Sequence, residues 1–331
     1  MTKRDRVKAA LAHRTPDKVP TFFHLAFDGL QAYEQPLWER YGNRDMRMLR
    51  DEGKLDYRNA LYYSMGNHVC FLENFPWWGW KDLPAQYSGW ETPDFLPETY
   101  AYGDYEEFAQ SVRNLREYTD SYVLVEIWTS DFEKAYNARG IENFLADMAA
   151  DPEYARELLD FITQKNMEKL EQIVSTPGID GVLLGNDWGS QRDLLMSPES
   201  WRSLLAPGAK QEYERIQNAG LDVWVHSCGD IRRILPDLTD MGVKALNPLQ
   251  PECMDIYELK DRYGDKLAFW GGISTQQTLP LGTPEQVREE TIRVTEYLAR
   301  DGGYLIAAAQ GIQSDVPFEN LCALVDTANK L

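Results

Sequence analysis

Short apolar, β-branched runs alternate with longer amphipathic stretches along most of this chain. Residues 19–24, 67–72, 121–126, 178–185, 221–227, 242–247, 266–271 and 303–309 each read as a buried strand. Helical periodicity fills the intervals. It is seen at 2–13 with Thr2 as a cap, at 33–61, and at 139–175, where Asp151 precedes Pro152 at a first helical position. Further helix starts fall at Ser197-Pro198-Glu199, at the capping box Thr283-Pro284-Glu285-Gln286, and near Phe318. This alternation predicts an α/β protein, a single (β/α)8 TIM barrel spanning 1–331 with an N-terminal helical extension. The rival, a doubly wound open sheet, lacks the Gly-x-Gly-x-x-Gly turn that would follow its first strand.

One segment breaks the pattern. After the second strand, Pro76-Trp77-Trp78-Gly79-Trp80 is followed by Tyr87, Trp90, Tyr100 and Tyr102 among prolines and glycines. This aromatic-rich insertion reads either as a packed hairpin or as a lid over a flat ligand, since such rings bury much area at low entropy cost.

Barrels place their chemistry at the carboxyl ends of their strands. Read in turn, those ends supply His24; Glu126 with Trp128; Asn186 and Asp187; His226 and Cys228; Asn247 with Gln250; and Gln310. Strand side chains alternate with period two, so His226 and Cys228 in Trp224-Val225-His226-Ser227-Cys228-Gly229-Asp230 point the same way and offer half of a zinc site. A core histidine beside a small buried cysteine is the plain alternative. Asp187 could orient the His226 ring, as carboxylates do for metal-bound histidines. Without a metal it would favour a protonated imidazole. His24 and His68 read as packing or substrate-facing residues.

Hydrophobic residues make up 43% of the chain and aromatics 12%, enough for a large core. The net charge of -19 argues against a nucleic-acid or anionic membrane partner and disfavours a highly anionic substrate. No run approaches the roughly eighteen apolar residues of a membrane span. Cys70, Cys228, Cys253 and Cys322 are too few and scattered for a disulfide framework, which suits a reducing cytoplasm.

Several motifs together are similar to those of the uroporphyrinogen decarboxylase superfamily. They are Gly185-Asn186-Asp187-Trp188-Gly189-Ser190-Gln191 with Ser197-Pro198, the His226-Ser227-Cys228-Gly229-Asp230 stretch, and Leu246-Asn247-Pro248-Leu249-Gln250-Pro251. Trp270-Gly271-Gly272-Ile273-Ser274 and Gln310-Gly311-Ile312-Gln313-Ser314-Asp315-Val316-Pro317 with Glu319-Asn320 complete the set. The resemblance runs in fixed order from about Gly140 onward and implies a (β/α)8 barrel and a homodimer.

Two activities are implied. Decarboxylases of the superfamily work without a cofactor and clamp substrate carboxylates with an arginine-bearing stretch after the first strand. Here that stretch, Phe23-His24-Leu25-Ala26-Phe27-Asp28-Gly29-Leu30-Gln31, contains no arginine. The other branch comprises cobalamin-dependent methyltransferases, with His-x-Cys and a later cysteine on zinc and cobalamin carried by a partner protein. His226 and Cys228 match the first two ligands, and Gln310 stands at the third. A neutral amide oxygen leaves the metal more electrophilic than a thiolate would, which suits polarising an ether or alcohol oxygen. Cys253, Glu126 and Asp187 are reserve ligands.

The expectation is a metal-assisted, corrinoid-linked methyltransferase acting on a small methylated compound. Asp187, His226 and Glu126 are its expected catalytic residues; His226, Cys228 and Gln310 its metal ligands; and His24, Trp128, Asn186, Asn247, Gln250 and Gln310 its substrate contacts. A cofactor-free decarboxylase is the alternative, and a non-catalytic ligand-binding barrel is a third reading.

Overall fold

The computed structural model describes residues 1–72, 75–81 and 96–331. Tyr87 and Trp90 of the aromatic segment lie outside them. Among the described residues the strands are β1 (Val69–Leu72), β2 (Trp77–Trp80), β3 (Thr99–Tyr102), β4 (Tyr122–Ile127), β5 (Gly181–Gly185), β6 (Asp222–His226), β7 (Ala245–Leu249), β8 (Ala268–Ile273) and β9 (Tyr304–Ala308). The chain divides into two compact units. One comprises Met1–Phe71, Arg113–Leu124 and Lys244–Leu331, the other Leu72–Val112 and Val125–Val243.

In the first unit β7, β8 and β9 lie side by side and parallel. The expected first strand, residues 19–24, is not a regular strand, and here the sequence reading needs correcting. It is extended and held on one side by isolated parallel bridges, Thr21 to Ile306 and Leu25 to Ile312. On its other side, His68 N–H donates to Thr21 O at 2.9 Å, while Asn67 uses its side chain, accepting from Phe23 N–H at 2.8 Å. A side chain in place of a backbone group interrupts the ladder without leaving the buried amide unsatisfied. The core is aromatic here: Trp270 stacks on Phe22 at 4.2 Å and donates Nε1–H to Phe22 O. Around it, helix Lys3–Leu11 starts at the Thr2 capping box and helix Pro284–Leu298 at the Thr283 capping box. The region expected to be helical across 33–61 is three helices, Phe27–Tyr41, Arg44–Asp51 and Tyr57–Met65, the latter two capped by Asn43 and Asp56.

In the second unit β5 and β6 are parallel, with Gly185 opposite His226. Helix Pro152–Val174, with Asp151 as its cap, packs on helix Ala206–Asn218. The aromatic segment forms an antiparallel hairpin of β2 and β3, Trp77 facing Tyr102. Its rings dock it. Trp78 Nε1–H donates to Asn166 Oδ1 at 2.8 Å, Trp80 lies stacked on Phe161, and Lys134 Nζ donates to Trp78 O at 2.9 Å. Among the described residues no helix is long and apolar enough to cross a membrane.

Candidate metal and substrate site

Two loops of the second unit, one after β5 and one after β6, are locked together through their backbones. Asn186 N–H donates to His226 O at 2.8 Å, Trp188 N–H to Ser227 Oγ at 3.0 Å, and Asp230 N–H to Ser190 O at 2.8 Å. At this crossing the chains are too close for side chains. A Cβ on Gly189 would sit 2.6 Å from Cys228 O, and one on Gly229, whose φ is +82°, would sit 2.4 Å from Ser190 O. The glycines of both motifs are therefore what permit the approach.

That approach brings three donors together. His226 Nε2 lies 3.5 Å from Cys228 Sγ and 3.5 Å from Asp187 Oδ1, and all three donor atoms fall within 4.8 Å of one another. Asp187 Oδ1 also accepts Cys228 N–H at 2.9 Å, which fixes the carboxylate. Trp128 packs edge-on against the His226 ring at 4.9 Å. Burial works against a charged His226 ring, but the Asp187 carboxylate and the Cys228 thiol outweigh it and push its pKa up to about 10. Burial likewise opposes a charged Asp187, and the hydrogen bond and charge of His226 reverse that and hold its pKa below the ordinary value.

Tetrahedral zinc, with bonds of about 2.0–2.3 Å, sets its ligands roughly 3.3–3.6 Å apart. The spacing of Nε2 to both partners fits that edge length. One imidazole, one thiolate and one carboxylate also suit the ion's ligand preferences, and three protein donors leave a fourth position open to a substrate atom.

The helix that follows β4, Phe132–Arg139, adds residues that the sequence reading passed over. Tyr136 Oη donates to Glu133 Oε1 at 2.9 Å. Burial, then the neighbouring Asp187 charge, push the pKa of Glu133 up to about 7. The signal was a Glu and a Tyr three apart just beyond a strand end, but only the fold shows what that face meets. Asn186, expected at the substrate, has its side-chain oxygen on the start of this helix, accepting from Asp131 N–H at 2.9 Å and Phe132 N–H at 3.0 Å. Glu126, buried near the end of β4, and Trp128 line a cavity of about 270 Å³ with Phe75, Trp77 and Tyr102.

The remaining expected residues belong to the first unit. Asn247 Nδ2 reaches Trp270 O at 3.3 Å, and His24 meets Phe71 edge-on. His68 is structural, its Nδ1 accepting from Thr21 N–H, with burial depressing its pKa to about 3. Gln250 and Gln310 line a cavity of about 380 Å³ with Gln276, Gln313 and Asp315, and no lysine or arginine is among the described lining residues. Cys253 borders a separate cavity of about 640 Å³ beside Glu252 and Arg293.

The family model described as Uroporphyrinogen decarboxylase (URO-D) matches residues 85–331. The chain belongs to the uroporphyrinogen decarboxylase family. Methyltransferases are among its relatives in that family. A Methylated-thiol--coenzyme M methyltransferase of Methanosarcina mazei is 24% identical over 234 residues, 70% of this chain and 59% of the relative. The Methylcobamide:CoM methyltransferase MtaA of Methanosarcina barkeri is 30% identical over 132 residues, 40% of this chain and 36% of the relative. A Uroporphyrinogen decarboxylase of Vesicomyosocius okutanii is 26% identical over 180 residues, 53% and 49% of the two chains. The chain thus spans less than two thirds of each of these relatives. A solved methyltransferase from Methanosarcina mazei superposes with a TM-score of 0.69 at 18% identity, covering 100% of this chain and 99% of that one, so the two share a fold.

Proposed function

We propose that this member of the uroporphyrinogen decarboxylase family is a metal-assisted methyltransferase, moving a methyl group between a small methylated compound and a corrinoid carried by a partner protein. The supporting observation is the convergence of the His226, Cys228 and Asp187 donors within 4.8 Å, with Nε2 at a zinc-like 3.5 Å from each of the other two. The corrinoid is inferred from the methylcobamide in the name of one relative.

His226, Cys228 and Asp187 would hold the ion, the two anionic ligands offsetting its charge. When bound, zinc supplies Lewis acidity at the open position, drawing charge from an oxygen or sulfur of the substrate. Trp128 fixes the His226 ring, and the Cys228 amide fixes Asp187. Glu133, its proton affinity raised chiefly by burial and its carboxyl held by Tyr136, can deliver a proton to the heteroatom that loses the methyl group. Asp187 takes the ligand place that sequence reasoning gave to Gln310, whose amide in the polar cavity is read as a substrate contact.

The alternative, cofactor-free decarboxylation using His226 and Asp187 as an acid/base pair, draws on the family's name and their 3.5 Å contact. A polycarboxylate would meet Asp187 and Glu133 there, with no arginine in the stretch after residue 22 to offset its charge.

The deciding experiment is the metal content of purified protein supplied with zinc, wild type beside His226→Ala and Cys228→Ser, followed by methyl transfer to free cobalamin. Near-stoichiometric zinc is expected in wild type. Both variants should bind it more than about a hundredfold more weakly, since even outer partners of a metal site cost 10–100-fold. Wild type that stays metal-free, or decarboxylates after chelation, removes this reading.

A further inference from the structure

The cavity of about 270 Å³ at the end of β4 is walled chiefly by rings. Phe75 and Trp77 form its buried part, 7% and 1% exposed, and meet edge-on at 6.1 Å. Tyr102 and Trp128 stand nearer solvent, 45% and 38% exposed. Leu72 and Ile127 add hydrocarbon, Thr129 and Glu126 complete the described lining residues, and none of these is a lysine or arginine. The rings are fixed from behind. Strand side chains alternate, so Trp78 and Trp80 lie on the face of β2 opposite Trp77, where they dock the hairpin on Asn166 and Phe161.

An apolar cavity of roughly 150 Å³ takes one benzene, so this volume holds a single ring with its substituents. An aromatic guest gains from edge and offset contacts with the four rings beyond the area it buries, and an aliphatic guest of the same size does not. Trp77 Nε1–H is buried and has no hydrogen-bond partner among the described residues. A ring bearing oxygen offers that donor an acceptor, which a plain hydrocarbon lacks. A carboxylate on the ring would lose its water with no cation in the described wall to receive it. Together these select a neutral aromatic ring that carries oxygen.

We propose that this cavity holds the aryl group of the substrate, so that the methyl donor is a neutral aryl methyl ether. The proposal rests on the methyl-transfer reading above. Trp128 joins the two places, lining the cavity and meeting the His226 ring at 4.9 Å. An ether oxygen has the lone pairs that suit the open position of the His226, Cys228 and Asp187 cluster. The oxygen–methyl bond breaks with its electron pair left on oxygen. That oxygen takes the proton of the Glu133 carboxyl, which is replaced from water, and a phenol results. The pair for the new bond to carbon comes from cobalt(I) of the partner's corrinoid, which rises formally from I to III, so no further oxidant or reductant enters. A phenol, with a pKa of about 10, is a much better leaving group than an aliphatic alcohol, which suits an ether donor.

The test is calorimetric titration of the chelator-treated full chain with methoxybenzene, with methoxycyclohexane, its saturated analogue, and with 4-methoxybenzoate. Methoxybenzene should bind about tenfold more tightly than methoxycyclohexane, the gain of a ring that meets two or more others. The benzoate should bind at least about tenfold more weakly than methoxybenzene. Tyr102→Ala, at an exposed rim position where folding is not at stake, should weaken methoxybenzene severalfold and narrow its lead over the saturated analogue. Equal affinity for the two ethers, preference for the saturated one or for the benzoate, or binding of none overturns the proposal. So does zinc-loaded protein that moves methyl from another compound to free cobalamin while bound methoxybenzene yields no phenol. Zinc content separates the two readings. Ring preference in a wild type that takes no zinc removes the metal mechanism alone. Stoichiometric zinc without ring preference removes the aryl donor alone.

Discussion

At the ends of β5 and β6 the chain gathers an imidazole, a thiol and a carboxylate within 4.8 Å, with Glu133 and its raised proton affinity on the helix that follows β4. At the ends of β7, β8 and β9 it gathers Gln250, Gln276, Gln310 and Gln313 around a cavity of about 380 Å³. The first group can bind a metal, move a proton and change charge. The second is made of neutral amides, which offer hydrogen-bond donors and acceptors in pairs, with Asp315 as the carboxylate among its described lining residues. Under the proposed function, the first set of strand ends would react and the second would recognise. The same contrast runs through the buried acids, since Asp131 and Glu212, like Glu133, lie in the unit of the donor cluster, where burial raises their proton affinity.

The sharpest way to break this contrast is at Asp187. Asp187→Asn should weaken zinc binding by about 10–100-fold, because an amide replaces a fixed anionic donor. Equilibrium dialysis measures it, and unchanged affinity would remove Asp187 from the ligand set. A smaller effect is expected among the amides. Gln310→Ala should raise KM for the methylated substrate by up to about tenfold, the loss of one neutral hydrogen bond, with zinc content unchanged. Loss of zinc in that variant would return Gln310 to the metal and erase the distinction between the two groups.

The smallest effect concerns protons and stability. Glu212 is buried, accepting from Asn166 Nδ2 at 2.7 Å and Ser130 Oγ at 3.3 Å. Burial, then the Asp131 charge, raise its pKa from the ordinary 4.5 to about 8. The folded state thus holds this proton more tightly than the unfolded chain. Its contribution to stability is whole below pH 4.5 and is lost as pH rises through about 8. Glu212→Gln keeps the shape of the contact without the titration, so urea midpoints across that window should fall less steeply in the variant than in wild type.

His226 was legible as a strand-end residue, but β6 ends there, and Cys228 reaches it from the following loop, which Asp187 holds through the Cys228 amide. The glycines at 189 and 229 were visible as motif members, but their purpose was not, because each is required by the other's loop. Asn186 was legible as a polar residue at a strand end, but not that its oxygen caps a helix more than fifty residues earlier in the chain. The extended segment near Thr21 was expected as a strand on composition, which cannot register that Asn67 would complete its hydrogen bonding with a side chain. The aromatic hairpin was one of two stated readings, and its docking on Asn166 and Phe161 is a contact between distant segments.

By itself the sequence determined the alternation of strand and helix, the helix caps at Thr2, Asp151 and Thr283, the polar residues at strand ends and the likeness to one family. These are written in periodicity, in neighbours a few residues apart and in short motifs. Only the tertiary structure decided that Asp187 meets His226 and Cys228, that Glu133 faces them with a raised proton affinity, and that four rings and Glu126 enclose one cavity. Distances between loops, burial and local charge arise from segments far apart in the chain, and no local rule of composition or spacing carries them.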